Sequence, residues 1–192
     1  MKGYFQRVLS IDLTNRTTET DPLDEDLLRG YVGGKGLASQ LLLERNPANV
    51  DSFAPENHII IALGPVTDSA IYGSCRHGLF TKSPLTGFFG ESYAGGRLAV
   101  PISRTGYDAI IIEGASQEPV WLEITDRDVT FHDAADLWGK GTYATEDEIK
   151  QEIGIPDAGV MVIGPPEKIE FALRWWKMIT GAPQEGPVWA LF

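Results

Sequence analysis

The stretch from Gly64 to Gly106 has the composition of an anion-binding site. It is rich in glycine, serine and threonine, and its charged residues between Ser69 and Arg104 are four cations and one acid. This local net charge of +3 lies within a chain whose formal net charge is −11. A positive field in an acidic protein suits a negatively charged ligand. The charged residues are Arg76, Lys82, Glu91, Arg97 and Arg104.

Two features of this stretch fit a phosphate or another oxyanion. Arg76 carries a planar fork of donors that can contact two phosphate oxygens at once. The pair Gly95–Gly96 lets the backbone approach a ligand closely, and it precedes Arg97–Gly106, where we predict a short helix with unpaired amides at its start. Two alternatives stay open: the glycine pair is only a turn, and Lys82 faces solvent. The pattern is less specific than a P-loop or a G-x-G-x-x-G motif, and the sequence has neither.

The sequence shows no recognisable catalytic grouping. Glu91 has no obvious carboxylate partner, and the three histidines lack metal-ligand spacing. Cys75 is the only cysteine, which rules out an internal disulfide or a thiolate-bound zinc or iron–sulfur site within these residues. A reactive thiol beside Arg76 is an alternative, although a lone cysteine is more often inert. We therefore predict no catalytic and no metal-binding residues.

Composition narrows the classes of partner. The acidic charge argues against a nucleic acid as ligand. No apolar run is long enough to span a membrane, and the first residues lack the apolar core of a signal peptide, which predicts a cytoplasmic protein. The 192 residues suit one domain or two small lobes with a shared core.

Two parts of the chain have the same order of patterns. The first comprises Arg7–Thr20, Gly33–Gly36, Leu37–Pro47 and His58–Pro65; the second comprises Val120–Asp133, Trp138–Gly141, Tyr143–Gly154 and Gly159–Pro166. Each is an alternating hairpin pattern, a glycine cluster with a lysine, a helical stretch and a β-branched run that ends in Gly-Pro. This order predicts an α+β fold built from a duplicated strand–strand–helix–strand unit with pseudo-twofold symmetry. The lobes would span about 1–66 and 107–173, joined by a ligand-binding strip at 67–106; chance similarity is the alternative.

Several motifs resemble the N-terminal domain of the aldehyde ferredoxin oxidoreductase family. The longest is GPVTDSAIYGSCRHGLFTKSPLTGFFGESYAGG, and it is followed by RTGYDAIIIEGAS. Two others, YVGGKGLASQLLL and DLWGKGTYATEDEI, match further stretches of the same domain, so the resemblance runs from about Tyr4 to Ala172. It implies a duplicated α+β base on which a bis-pterin cofactor lies, within a domain of residues 1–173.

The resemblance implies a cofactor, a reaction and a partner. Family members hold tungsten or molybdenum through two pyranopterin dithiolenes beside a [4Fe–4S] cluster, oxidise aldehydes to carboxylic acids and pass electrons to ferredoxin. Some relatives catalyse other reactions, including aromatic acyl-CoA reduction. The cluster ligands come from later domains of the family, so we expect this chain alone to be inactive. A homo-oligomer is compatible with the sequence.

The resemblance also assigns cofactor contacts by position. Arg76 corresponds to a pterin-contacting arginine, and Ala94 and Gly95 lie where backbone groups meet the cofactor. Tyr93 departs from the asparagine that aldehyde-oxidising members of the family have at this position. With Gly96, these residues form the predicted cofactor-binding set.

The segment 174–192 has a composition foreign to the rest of the chain, with three tryptophans and two prolines. Tryptophan and methionine each have a single codon, so Trp175, Trp176 and Met178 fix some codons of the reading frame that lies one base back. This shifted frame can encode VENDYWRTAGRAGVGAV. That string resembles the family motif expected at this place. We therefore predict a frameshift near Arg174 and an irregular, out-of-frame tail, which re-sequencing of the gene would test.

Three functions are compatible with these patterns. The leading one is the cofactor-binding N-terminal fragment of a tungsten or molybdenum pterin oxidoreductase with ferredoxin as electron acceptor. The others are a stand-alone module that binds a pterin or another anion without redox chemistry, and a non-functional truncated product. The sequence leaves the substrate and the choice of metal open.

Overall fold

The computed structural model describes residues 1–163, 176–179 and 189–191. Its helices and strands follow one another along the chain as β1 (Arg7–Asp12), β2 (Thr17–Pro22), α1 (Glu25–Tyr31), α2 (Gly34–Arg45), β3 (Ile59–Leu63), β4 (His77–Lys82), β5 (Phe89–Ala94), α3 (Ala99–Arg104), β6 (Ala109–Glu113), β7 (Val120–Ile124), β8 (Val129–Asp133), α4 (Thr142–Ile153), β9 (Gly159–Ile163), β10 (Trp176–Ile179) and β11 (Trp189–Leu191).

The strands form two mostly antiparallel sheets. The first has the order β2-β1-β6-β3-β4-β5, and the second has the order β10-β9-β11-β7-β8. Only β1 with β6 and β9 with β11 pair in parallel among the described strands. Together with the helices, these sheets confirm the predicted mixed α+β class. The predicted duplication with pseudo-twofold symmetry stays a prediction.

The stretch 67–106, predicted as a strip between two lobes, is built into the first sheet. Its strands β4 and β5 extend that sheet outward from β3, and β5 is the edge strand. The lobe boundaries stay a prediction. Within the predicted tail, β10 pairs with β9, and β11 pairs with β7 and β9. The remainder of 174–192, and with it the predicted frameshift, lies outside the described residues.

Three apolar clusters place the sheets in layers. The first cluster joins one face of the first sheet to α3 and to the second sheet, through residues such as Ile11, Ile102 and Met161. The second covers the opposite face of the first sheet with α1 and α2, around Phe80. The third packs α4 on the outer face of the second sheet, around Trp121. In the first sheet, β1, β3 and β6 are therefore buried on both faces, whereas the edge strand β2 is mostly exposed.

The turn between α1 and α2 is tightly constrained. Val32 has φ +64° and ψ −54°, and the Gly33 amide donates to the Tyr31 carbonyl oxygen at 2.7 Å, which makes a γ-turn. This backbone region is strained for a β-branched residue. Gly36, in the first turn of α2, lies directly against the Tyr31 carbonyl oxygen. After this turn, α2 packs against β3 and β4, and Lys35 reaches Glu91 on the edge strand β5.

No helix in the described part of the chain has both the length and the apolar character needed to cross a membrane.

Candidate functional site

The register of β4 and β5 brings the predicted cofactor-binding residues together. His77 lies opposite Ala94, and Arg76 and Gly95 follow as the next residues beyond that pair. A Cβ built on Gly95 would lie 4.0 Å from the Cys75 carbonyl oxygen, so the two chain segments run side by side here. Ala94 is half-buried; the other four predicted residues are exposed: Arg76, Tyr93, Gly95 and Gly96.

Two of the four cations of the positive stretch already have partners within the protein. The Lys82 ammonium donates to the Val50 carbonyl oxygen, so Lys82 neither faces solvent freely nor serves a ligand. Arg104 pairs with Asp68 at 2.9 Å. Two exposed cations remain whose side chains have no hydrogen bond or ion pair within the described residues, and these are Arg76 and Arg97. Of the positive charges predicted from the sequence, only those of Arg76 and Arg97, on either side of the glycine pair, are therefore left for a ligand.

The glycine pair leaves room for an outside group. A Cβ on Gly95 would meet no atom closer than 4.0 Å, so packing inside the protein does not require glycine there. Gly96 has φ +92°, a conformation that favours glycine. The predicted helix starts only at Ala99, and both Leu98 and Ala99 are fully buried. The helix is therefore shorter than the predicted Arg97–Gly106, and the contact of its first amides with a ligand stays a prediction.

A polar network on β5 was not predicted from the sequence. The Lys35 ammonium contacts Glu91 Oε2 at 2.7 Å, and the Tyr93 hydroxyl donates to the same oxygen at 3.0 Å. The hydrogen bond from Lys35 lowers the pKa of Glu91, and the hydrogen bond to Glu91 raises the pKa of Lys35. Partial burial, followed by the hydrogen bond to Glu91, raises the pKa of Tyr93. The only signal of Lys35 in the sequence was a lysine within a glycine cluster.

The family model for the aldehyde ferredoxin oxidoreductase N-terminal domain matches residues 8–172. The chain belongs to this family. A tungsten-containing aldehyde ferredoxin oxidoreductase of Pyrococcus furiosus is 36% identical over 165 residues, which are 86% of this chain and 27% of that protein. The aliphatic sulfonate oxidoreductase WOR-like subunit of the same organism is 30% identical. This match covers 97% of the present chain and 32% of that protein.

A solved structure shares the fold of this aldehyde ferredoxin oxidoreductase family domain. It is the active-site complex BamBC of benzoyl coenzyme A reductase with 1,5-dienoyl-CoA, with a TM-score of 0.82 and 36% sequence identity. The match covers 85% of this chain and 25% of that chain. The present chain thus spans roughly a quarter to a third of the length of these relatives.

The histidines of this family domain are built into its structure. The His58 ring nitrogens contact Asn46 Oδ1 at 2.7 Å and Glu113 Oε2 at 2.8 Å, and His132 stacks on Trp121. No group of three histidine, cysteine or acidic side chains suited to a metal ion occurs in the described part of the chain.

His77 differs from the other histidines because it is buried and its Nδ1 has no partner among the described residues. It is 4% exposed, and its Nδ1 makes no hydrogen bond to a described residue. Burial lowers the pKa of His77 from 6.5 to about 4. The imidazole next to Arg76 is therefore neutral at physiological pH, and it adds no charge to the site.

This pKa predicts a specific pH dependence of stability. Because the folded pKa of His77 lies below the ordinary value, the unfolded chain takes up the proton first, and stability falls as the pH drops from 6.5 toward 4. Between pH of about 7 and about 5, the His77→Gln variant should lose about 2 kcal/mol less unfolding free energy than the wild type. Urea unfolding at both pH values checks this. Equal losses in the two proteins would contradict it.

Proposed function

We propose that this chain is the cofactor-binding base of a tungsten- or molybdenum-pterin oxidoreductase, and that Arg76 with the Gly95–Gly96 backbone binds the anionic end of the cofactor. This proposal depends on one observation: Arg76 is exposed, has no hydrogen bond or ion pair to a described residue, and lies beside Gly95, where a Cβ would meet no atom closer than 4.0 Å. The tungsten-containing relatives support a tungsten pterin in particular. Arg97 adds a second positive charge to the same site.

The residues present fit the phosphate end of a pterin cofactor. Guanidinium groups and exposed backbone amides are the donors that phosphate oxygens prefer. When bound, the metal–pterin group supplies oxygen-atom transfer and two-electron chemistry, while the protein binds and orients it. The reaction of the whole protein would be aldehyde oxidation with ferredoxin as acceptor, or a related ferredoxin-linked reduction. A [4Fe–4S] cluster, carried by other parts of the whole protein, and a cytoplasmic location belong to the same proposal.

A duplicated unit is part of the proposal, and the order of strands supports it. Read from its outer hairpin strand, the first sheet begins β2-β1-β6-β3-β4, and the second reads β8-β7-β11-β9-β10. In both sheets, a hairpin, an inserted strand and the strand that follows the helix occupy matching places. The inserted strands differ in direction, since β6 is parallel to β1 whereas β11 is parallel to β9.

Removal of Arg76 tests the assigned anion contact. The oxidised pterin ring is fluorescent. The binding of a pterin with a phosphomonoester side chain to the intact chain can therefore be measured by fluorescence titration. The Arg76→Ala variant should bind it about 10- to 100-fold more weakly than the wild type, because hydrogen bonds to a charged group contribute about 1.5–3 kcal/mol. Arg76→Lys should fall between the two, because it keeps the charge and loses the planar fork.

The matched control is Arg29→Ala. Arg29 is an exposed arginine on α1 that pairs with Glu25, so its removal changes the net charge equally and leaves the site intact. Its affinity for the pterin phosphate should equal that of the wild type. If the Arg76→Ala and Arg29→Ala variants bind alike, the proposed anion site is wrong.

A further inference from the structure

We infer that Lys35 and Glu91 position the Tyr93 hydroxyl oxygen as a hydrogen-bond acceptor for an N–H group of the bound pterin ring. This inference rests on the proposed function, and it adds the ring of the cofactor to the phosphate contact assigned above. Lys35 and Glu91 would be positioning residues, and Tyr93 would contact the ligand.

The network fixes the direction of the Tyr93 hydrogen bond. A phenol has a single hydroxyl hydrogen, and the Tyr93 hydroxyl is 3.0 Å from Glu91 Oε2. The Lys35 ammonium reaches the same carboxylate oxygen at 2.7 Å and lowers the pKa of Glu91. An ionised carboxylate only accepts hydrogen bonds, so Tyr93 must donate to it. The Tyr93 hydroxyl oxygen can therefore act toward a ligand only as a hydrogen-bond acceptor, through its lone pairs.

Aromatic packing holds the Tyr93 ring in place. Its edge meets the Phe80 ring at a centroid distance of 5.7 Å and an interplanar angle of 81°. Gly78 lies opposite Tyr93, and a Cβ there would come within 3.2 Å of the Tyr93 ring, so the ring lies over the glycine. Phe89 stacks on Phe80 at 6.1 Å, and the Lys35 ammonium lies 5.8 Å from the Phe89 ring centroid. The hydroxyl is therefore held on a rigid support.

Tyr93 lies at the open end of the site described above. The pairing of Gly78 with Tyr93 puts these two positions on one face of the sheet, and position 76 is the next on that face. β5 is the edge strand, and Tyr93 is 49% exposed. The site thus presents donors at Arg76 and Gly95 and an acceptor at Tyr93. A phosphorylated pterin has the complementary arrangement, an anionic end and a ring that carries N–H groups.

A purely structural role explains this network less well. The Lys35 side chain is 57% exposed and the Glu91 side chain is 35% exposed. Exposed ion pairs contribute roughly 0–1 kcal/mol to stability. The network therefore holds an exposed hydroxyl in one orientation while it contributes little to the fold, which is what a ligand contact requires.

The test compares two pterin phosphates on the intact chain. One is the unmodified ring, and the other is methylated at its ring N–H groups and so cannot donate from them. Wild-type protein should bind the methylated ring about 5- to 10-fold more weakly, which corresponds to one lost hydrogen bond. Tyr93→Phe should bind the unmodified ring equally weakly and should not distinguish the two rings. Such non-additivity is the sign of a direct contact.

The supporting residues are tested in the same titration. Glu91→Gln and Lys35→Met should each reduce the discrimination between the two rings to about 3-fold or less. An amide in place of the Glu91 carboxylate can itself donate to the phenol oxygen, and without Lys35 the carboxylate is no longer held in one position. Tyr72→Phe is the matched control, since Tyr72 is fully exposed, and it should behave as the wild type. Competition by inorganic phosphate should be unchanged in all of these variants, because none removes an anion contact.

Each outcome separates this inference from the proposed function. If the wild type binds neither ring, both are wrong. If binding depends on Arg76 but Tyr93→Phe discriminates between the rings as the wild type does, only the role of Tyr93 is wrong. If Tyr93→Phe weakens competition by inorganic phosphate, Tyr93 acts on the anion, and the acceptor role is likewise overturned.

Discussion

Replacement of Gly36 with alanine should destabilise the chain by about 3 kcal/mol. A Cβ at this position would lie 2.2 Å from the Tyr31 carbonyl oxygen, far inside van der Waals contact. That oxygen is backbone and already accepts from the Gly33 amide at 2.7 Å, so it cannot swing aside as the end of a side chain would. Overpacking against such a fixed atom typically costs 1–3 kcal/mol, and we expect the upper end. Urea unfolding of purified variants measures the change.

Gly30→Ala is the matched control for Gly36→Ala. Gly30 lies within α1, and a Cβ there would meet no atom within 4 Å. Alanine is preferred over glycine in a helix by roughly 0.5–1 kcal/mol, so this variant should be slightly more stable than the wild type. A Gly36→Ala variant as stable as the Gly30→Ala variant would show that the α1–α2 turn relaxes freely.

The turn at Gly36 also carries a functional consequence. Lys35 precedes Gly36, and its ammonium reaches Glu91 across the sheet edge. A displaced turn would move Lys35 and release the Tyr93 hydroxyl from its fixed orientation. Gly36→Ala should therefore also lose discrimination between the two pterin rings, even under conditions where the variant is folded.

Local features of the fold could be predicted from the sequence. The first hairpin pattern predicts a turn within Arg7–Thr20, and the structure has this turn around Asn15, between β1 and β2. The Asp12 carboxylate accepts from the Thr14 and Asn15 amides, a contact that depends on neighbouring residues only. The second hairpin, β7 and β8, follows the same logic. A turn of this kind can be predicted from sequence because its hydrogen bonds form between residues only a few positions apart.

Contacts between distant segments could not be predicted from the same patterns. A charge count treats Lys82 and Arg104 as part of a positive field, but it does not show that the Val50 carbonyl oxygen and Asp68 already bind them. The insertion of β6 between β1 and β3 likewise depends on long-range pairing, for which periodicity contains no signal. Residue types alone predicted that Arg76 and the Gly95–Gly96 pair bind an anion, and the family resemblance assigned that anion to the cofactor. Their proximity follows from the register of β4 and β5.

The Phe80→Ala variant should lose about 3–5 kcal/mol of unfolding free energy. Phe80 is fully buried among the residues that pack α1 and α2 on the first sheet, so truncation leaves a cavity in that cluster. Phenylalanine-to-alanine substitutions in cores typically cost this much, because the lost burial adds to the cost of the cavity. Phe80→Leu keeps most of the volume and should cost less.

Phe53→Ala is the control for this substitution. Phe53 is 75% exposed, so its truncation removes the same atoms without a cavity and should change stability by less than about 0.5 kcal/mol. Phe80 also supports the Tyr93 and Phe89 rings. Phe80→Leu should therefore remain folded and still bind the methylated and unmodified pterin phosphates with reduced discrimination, because Tyr93 loses its edge contact. Full discrimination in a folded Phe80→Leu variant would show that the Glu91 hydrogen bond alone orients the hydroxyl.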